Sequence, residues 1–272
     1  MIYILSLVVG FIGLFVGSFL GVLTDRLYKN RSFIFSRSKC DKCKKNLGML
    51  DLIPLLSFIF LQGKCRYCKV KLSYFYPIIE LITAILFFIT FFFVFSPLEN
   101  NTAILFTVFN FIKFFVYIVT VSLLIVVFFI DLKYGVILDK VVVLLTVLTL
   151  IWLMYSNPSN ILNHILTSIF SALFFALIVF VYYLIRKKIA MGGGDIKLAL
   201  FLGLFLGFPN IILCLYIAFL TAAIYSIILI IWRKNIKLTD SIPFGPFLTV
   251  GFLITLFWSD KILSFIPLFL KI

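Results

Sequence analysis

Long apolar runs alternate with short basic connections, and this alternation constrains the fold of the chain more than any other feature. A helix needs roughly 20 apolar residues to cross a hydrocarbon core of about 30 Å. Eight runs approach that length, at about 2–27, 77–96, 103–130, 137–155, 161–185, 195–209, 210–232 and 243–259. The sixth is short, and Pro209 separates it from the seventh. Hydrophobic residues make up 64% of the sequence and charged residues only 12%. A soluble domain runs nearer half apolar, so this surface must be buried in lipid rather than in one compact core. The first run is too long, and lacks the basic leading region, for a cleaved signal peptide. The expected fold is all-α, a polytopic membrane bundle of about eight transmembrane helices.

The net charge of +14 comes from Lys and Arg gathered between the apolar runs. Such placement reads as membrane orientation, not as a nucleic-acid surface. Twelve basic residues lie in 26–76, two in 131–140, four in 186–197 and three in 233–237, together 21 of the 24. Positive charge favours the cytoplasmic side, which puts the N-terminus outside and leaves Lys113, Lys261 and Lys271 on the outer face. A basic inner face also suits the anionic lipids of the inner leaflet.

The domain reading is a first span at 1–27, a cytoplasmic loop domain at 28–76 and a helix bundle at 77–272. Neither an internal repeat nor a low-complexity linker stands out. The loop holds Cys40-Asp41-Lys42-Cys43 and Cys65-Arg66-Tyr67-Cys68. Two CxxC turns can together complete a tetrahedral sulfur site for zinc. Basic neighbours such as Lys42, Lys44 and Arg66 favour thiolates. Paired disulfides are the alternative, expected only if the loop were outside, since cytoplasmic thiols stay reduced. Four sulfurs leave no open position for water, so the metal's role is structural, a staple for a segment with little apolar core. Cys214 stands alone in an apolar run and reads as a packing residue.

Acidic residues number only ten, and ionisable groups in or near spans are costly and commonly functional. Asp131 ends one apolar run, and Asp195 follows Gly192-Gly193-Gly194 and opens another. Both fall at cytoplasmic ends, at one depth, where they can meet. Two carboxyls held close do not both ionise cheaply, so one keeps a proton and the other stays charged. The charged one can take a proton from water attacking a peptide carbonyl, and the protonated one supports the developing oxyanion. The three glycines let the chain turn sharply and a substrate strand approach. By position alone the two aspartates read equally well as interfacial or N-cap residues. They also suit the proton relay of an ion-coupled transporter, although a relay is expected nearer mid-membrane.

Six motifs in order resemble the prepilin peptidases, the GxGD family of bacterial membrane aspartyl proteases. Gly17-Ser18-Phe19-Leu20 with Arg26 is similar to that family's opening motif. The CxxC pairs follow, with Ile53-Pro54 and Ser57 between them, then Gly63-Lys64-Cys65-Arg66 and Tyr76-Pro77 with Glu80. Phe129-Ile130-Asp131-Leu132 with Asp139, then Met191-Gly192-Gly193-Gly194-Asp195-Ile196-Lys197-Leu198, and finally Pro243-Phe244-Gly245-Pro246 complete the series. The resemblance implies that Asp131 and Asp195 are the catalytic pair, with Gly192, Gly193, Gly194 and Lys197 forming the active-site loop. It implies removal of the short basic leader from type IV prepilin or pseudopilin precursors at the cytoplasmic face. It also implies N-methylation of the new N-terminus with S-adenosylmethionine as donor. Two positions depart from the family pattern: Gly21, where Asn is usual, and Leu138, where Pro is usual. The first bears on methylation more than on proteolysis.

Three single residues remain. His164, the only histidine, reads as packed or interfacial. Glu80, inside a span, needs a partner, either Arg26 or a backbone N–H, with a role in methyl transfer as the other reading. Asp139 follows Asp131 by eight residues, about 80° round a continuous helix, which makes it the natural decoy for the first catalytic aspartate.

Overall fold

The structure is a computed structural model and describes residues 1–29, 38–40, 42–96, 107–187, 191–232 and 242–265. The 233–237 basic connection, Lys188, Lys271 and the outer connection around Asn100 lie outside the described residues. Nine α-helices and no strand occur among those described. They are α1 (Ile2–Tyr28), α2 (Leu56–Phe60), α3 (Phe75–Phe95), α4 (Val108–Tyr134), α5 (Asp139–Ser156), α6 (Ile161–Arg186), α7 (Gly193–Leu206), α8 (Asn210–Trp232) and α9 (Gly245–Phe265). The chain divides into two compact units, Met1–Val126 and Val127–Ile272, with the division inside α4.

Among the described residues, seven helices are long and apolar enough to cross a membrane, where the sequence suggested eight. The difference is α7. Its 14 residues span about 21 Å at 1.5 Å per residue, short of the hydrocarbon thickness. A short run that is apolar all round looks like a span in sequence, but such a helix can instead be enclosed by protein. Leu198, Ala199 and every residue of 201–206 are buried, against α5, α6, α8 and α9. The long helices show the opposite pattern. Leu162, Leu166, Phe170, Leu173 and Leu177 of α6, for example, are exposed in the absence of lipid. The protein is a multi-pass membrane protein.

In the first unit α1 and α3 pack closely because α1 presents glycines to α3. A Cβ on Gly13 would lie 2.9 Å from the Ala84 Cα, and one on Gly17 only 2.7 Å from the Glu80 Cα. Small residues spaced in this way let backbones approach in a membrane, where packing rather than hydrophobicity holds helices together. At the other end Phe91 and Phe95 of α3 meet Phe114 of α4 at ring distances of 5.3 and 5.8 Å.

In the second unit, Ser168 and Ser171 of α6 donate to the carbonyls of Leu200 and Ala199 of α7, each at 2.8 Å. Gly203 permits that approach: a Cβ there would sit 2.5 Å from the Ser171 Oγ. His164 places its Nδ1 2.9 Å from the Leu204 carbonyl. It is a packed residue with a partner, as its sequence position suggested.

Candidate functional site

The second unit brings both singled-out aspartates together. Asp131 lies on the last turns of α4, which stops at Tyr134 because Gly135 takes φ +65° and donates its N–H to the Asp131 carbonyl at 2.8 Å. Glycine at such a C-terminal position accepts the left-handed backbone without Cβ strain. The break also means that Asp139 does not share a helix with Asp131, which removes the decoy relationship expected from a continuous helix. Asp139 instead opens α5 and accepts a 2.7 Å ion pair from Lys197 of α7, with both side chains more than half exposed.

Asp195 sits in the first turn of α7, three residues after its N-cap Gly192, so it is not itself the cap. Its backbone N–H bonds the Gly192 carbonyl at 3.2 Å. The residue before it, Gly194, lies against Ile137 of the connection that leaves Asp131: a Cβ on Gly194 would sit 2.8 Å from the Ile137 Cβ. Both aspartates are buried, Asp131 to 4% and Asp195 to 8% exposure. Among the described residues, Asp195 Oδ1 is buried with no hydrogen-bond partner. Such an atom is costly, and is tolerated where chemistry uses it.

Asp131 is held by a residue whose part in the site only the structure reveals. Its Oδ2 accepts the backbone N–H of Gly245 at 2.9 Å. The neighbouring Phe244 anchors this helix start, with its ring 5.9 Å from Phe175 of α6 and 5.2 Å from Phe219 of α8. Only glycine fits at 245, since a Cβ would lie 2.5 Å from the Asp131 Oδ2. The motif Pro243-Phe244-Gly245-Pro246 was visible in sequence, but its donor was not.

The four loop cysteines form a second cluster, within the first unit. All are free thiols, and their sulfurs lie within 4.8 Å of one another. A tetrahedral zinc with Zn–S of about 2.3 Å sets sulfurs roughly 3.8 Å apart. Cys40 and Cys68 stand 3.8 Å apart. The donor set therefore fits a tetrahedral metal.

The loop does contain a repeat, contrary to the sequence reading. Lys39-Cys40…Cys43-Lys44…Leu47 recurs as Lys64-Cys65…Cys68-Lys69…Leu72. In each copy the first cysteine's N–H bonds the carbonyl five residues on, at 3.0 and 2.9 Å. Lys44 and Lys69 both adopt positive φ, +58° and +55°, and bridges Lys39–Asn46 and Lys64–Lys71 close the two turns. The copies are only nine residues long, and five of the nine side chains match at fixed spacing. Asp51 braces them, pairing with Arg66 Nε at 2.6 Å and accepting from the Gly48 N–H at 3.0 Å. The backbone N–H groups of Cys43 and Lys42 lower the Cys40 thiol to about 7, which favours a metal-binding thiolate.

Glu80 finds the backbone partner anticipated for it. Its carboxylate accepts the Leu55 N–H at 2.8 Å, which ties the loop to α3. Leu55 holds φ +56°, an uncommon state for a branched residue. Nearby, Tyr76 donates to Asp25 at 2.9 Å, and a Cβ on Gly21 would meet the Tyr76 ring at 3.0 Å.

Comparison with known proteins places the chain in a family. Residues 11–94 match the bacterial peptidase A24 N-terminal domain, and residues 118–227 match the type IV leader peptidase family. The chain belongs to the type IV leader peptidase family. It is similar to the prepilin leader peptidase/N-methyltransferase of Legionella pneumophila, 29% identical over 96% of this chain and 94% of the relative. The protein of the same name from Bacillus subtilis is 29% identical over 93% and 94%. That from Pseudomonas aeruginosa is 28% identical over 92% and 89%. No solved structure matches the chain.

Proposed function

We propose that the chain is an intramembrane aspartyl endopeptidase that removes the leader from type IV pilin-like precursors, with Asp131 and Asp195 as the catalytic pair. The observation that carries the reading is their pairing at the starts and ends of three helices. Asp131 Oδ2 is held by the Gly245 N–H, and the neighbouring Asp195 keeps Oδ1 unpartnered among the described residues. Two such carboxyls share one proton. The charged one takes a proton from the attacking water, and the protonated one hydrogen-bonds the carbonyl oxygen as it becomes negative. The proton then passes to the leaving amine, which regenerates the pair. Gly192 and Gly193 add no side chain beside Asp195, which suits a substrate backbone lying close to it.

The substrate reading, a pilin or pseudopilin precursor with a basic leader, follows the family and the names of its relatives. The same names support an N-methyltransferase activity; the new N-terminus as its target and S-adenosylmethionine as its donor are what the family resemblance implies, and no residue of this chain is assigned to that donor. Gly21, unusual for the family, has a packing reason of its own in the Tyr76 ring beside it. Zinc is the metal that best suits Cys40, Cys43, Cys65 and Cys68, and it would staple the loop without entering the chemistry. The bacterial inner membrane is the expected location, with the N-terminus outside and the cysteine loop and aspartates cytoplasmic. A reporter fused after Lys45 or Arg186 should then read cytoplasmic, and one after Asn157 external.

Co-expression with a type IV pilin precursor tests the reading. The wild-type chain should shorten the precursor, whereas Asp131→Asn and Asp195→Asn should insert normally and leave it whole. Cleavage by both variants would end the aspartyl reading. A proton-relaying transporter predicts no cleavage by any of the three.

A further inference from the structure

The linker between α4 and α5 touches every part of the second unit that carries the aspartate pair. It leaves Asp131 through Gly135, whose N–H bonds the Asp131 carbonyl at 2.8 Å. Two residues on, the half-buried Ile137 reaches both other helix starts. A Cβ placed on Gly194 would lie 2.8 Å from the Ile137 Cβ, so the two chains already touch there. A Cβ placed on Gly245 would lie 3.2 Å from the Ile137 Cδ1. Gly194 is the residue before Asp195, and Gly245 is the donor to Asp131. Two residues further on, Asp139 holds Lys197 at 2.7 Å, so the linker is pinned to α7 on the far side of Ile137 as well.

From this geometry we infer that Ile137 is a positioning residue, the wedge that sets the spacing between the Asp131 and Asp195 carboxyls. The inference rests on the reading of those two residues as the catalytic pair. Ile137 bears on the backbone beside each carboxyl and presents only hydrocarbon, so its part is spacing and not proton transfer. β-branching suits the part. Ile has few χ1 states and transmits a fixed distance, whereas a flexible side chain would not. The nearness of Gly194 to Ile137 also gives a packing reason for the last glycine before Asp195, separate from backbone freedom. A side chain at 194 would push against Ile137 and displace Asp195 from Asp131.

The test is steady-state cleavage of a purified type IV pilin precursor by the full-length enzyme in detergent, with Asp195→Asn as control. Ile137→Ala keeps the Cβ contact and removes the reach toward Gly245. It should lower kcat about ten- to a hundred-fold with KM unchanged, since roughly 1 Å of misplacement costs on that order. Ile137→Val, which keeps the β-branch and loses only the Cδ1 that faces Gly245, should have a kcat between those of Ile137→Ala and wild type. Gly194→Ala should be nearly inactive, and adding Ile137→Gly to it should recover activity above that of the single variant. A merely structural role would lower the yield of inserted enzyme and leave kcat per folded molecule alone. Wild-type kcat in Ile137→Ala, a change confined to KM, or no recovery in the paired variant would overturn the inference. Activity in Asp195→Asn would instead overturn the catalytic pair, a distinct failure.

Discussion

The backbone N–H of Gly245 is bonded to Oδ2 of Asp131 at 2.9 Å, across 114 positions of sequence. The bond orients one carboxyl of the pair from a helix start that Phe244 has already locked by ring packing. Gly245→Ala puts a methyl group 2.5 Å from that oxygen. Expression and membrane insertion should survive, and cleavage should fall about 10²-fold, because a carboxyl moved by about 1 Å loses that much. Unchanged cleavage by Gly245→Ala in a precursor-processing assay would remove the glycine from the site.

Asp139 offers a sharp contrast with Asp131. Its ion pair with Lys197 is exposed on both sides, and exposed pairs contribute about 0.2–1 kcal/mol. Asp139→Asn should therefore slow cleavage by no more than about fivefold, whereas Asp131→Asn should abolish it. The Asp131→Asn/Asp195→Asn double variant should be no worse than either single, since a pair sharing one proton works as a unit. Relative rates on one precursor decide this. A reversed order of Asp131 and Asp139 would reassign the first catalytic residue.

Purified reduced protein should carry about one zinc per chain. Metal binding needs thiolates, so loading releases protons, and the stability it contributes is lost as pH falls. The lowered Cys40 thiol favours the thiolate that a metal needs, and acidification should release the metal. Cys40→Ser or Cys65→Ser should lose the metal and loosen the loop before the membrane helices. Metal analysis across a pH series, paired with limited proteolysis of the loop, gives the answer. Full metal content in Cys40→Ser would exclude the four-sulfur site.

Gly17 of α1 lies close against the Glu80 backbone of α3. Gly17→Ile should force the helices apart at a cost of about 1–3 kcal/mol or more, because a Cβ already falls 2.7 Å from the Glu80 backbone. Glu80→Gln, which can still accept from Leu55, should be milder than Glu80→Ala, which cannot. Thermal unfolding in detergent should rank the variants in that order. Equal stability of Glu80→Ala and wild type would mean that the loop is held by other contacts.

The sequence alone determined the membrane character, the approximate positions of seven spans, the pairing of the CxxC turns and the choice of Asp131 and Asp195 as the residues to watch. Each of these is local. Hydropathy follows from run length, a CxxC turn from the spacing of two cysteines, and the rarity of carboxylates from counting. Other features needed tertiary structure. The α7 run was read as a span because apolar residues facing protein and those facing lipid look alike in sequence. Asp139 was separated from Asp131 by the positive φ of Gly135, a backbone state that glycine permits without announcing. The Gly245 donor and the Ile137 wedge depend on α4, α7 and α9 meeting at their ends, and no periodicity within one segment encodes which helix ends will meet.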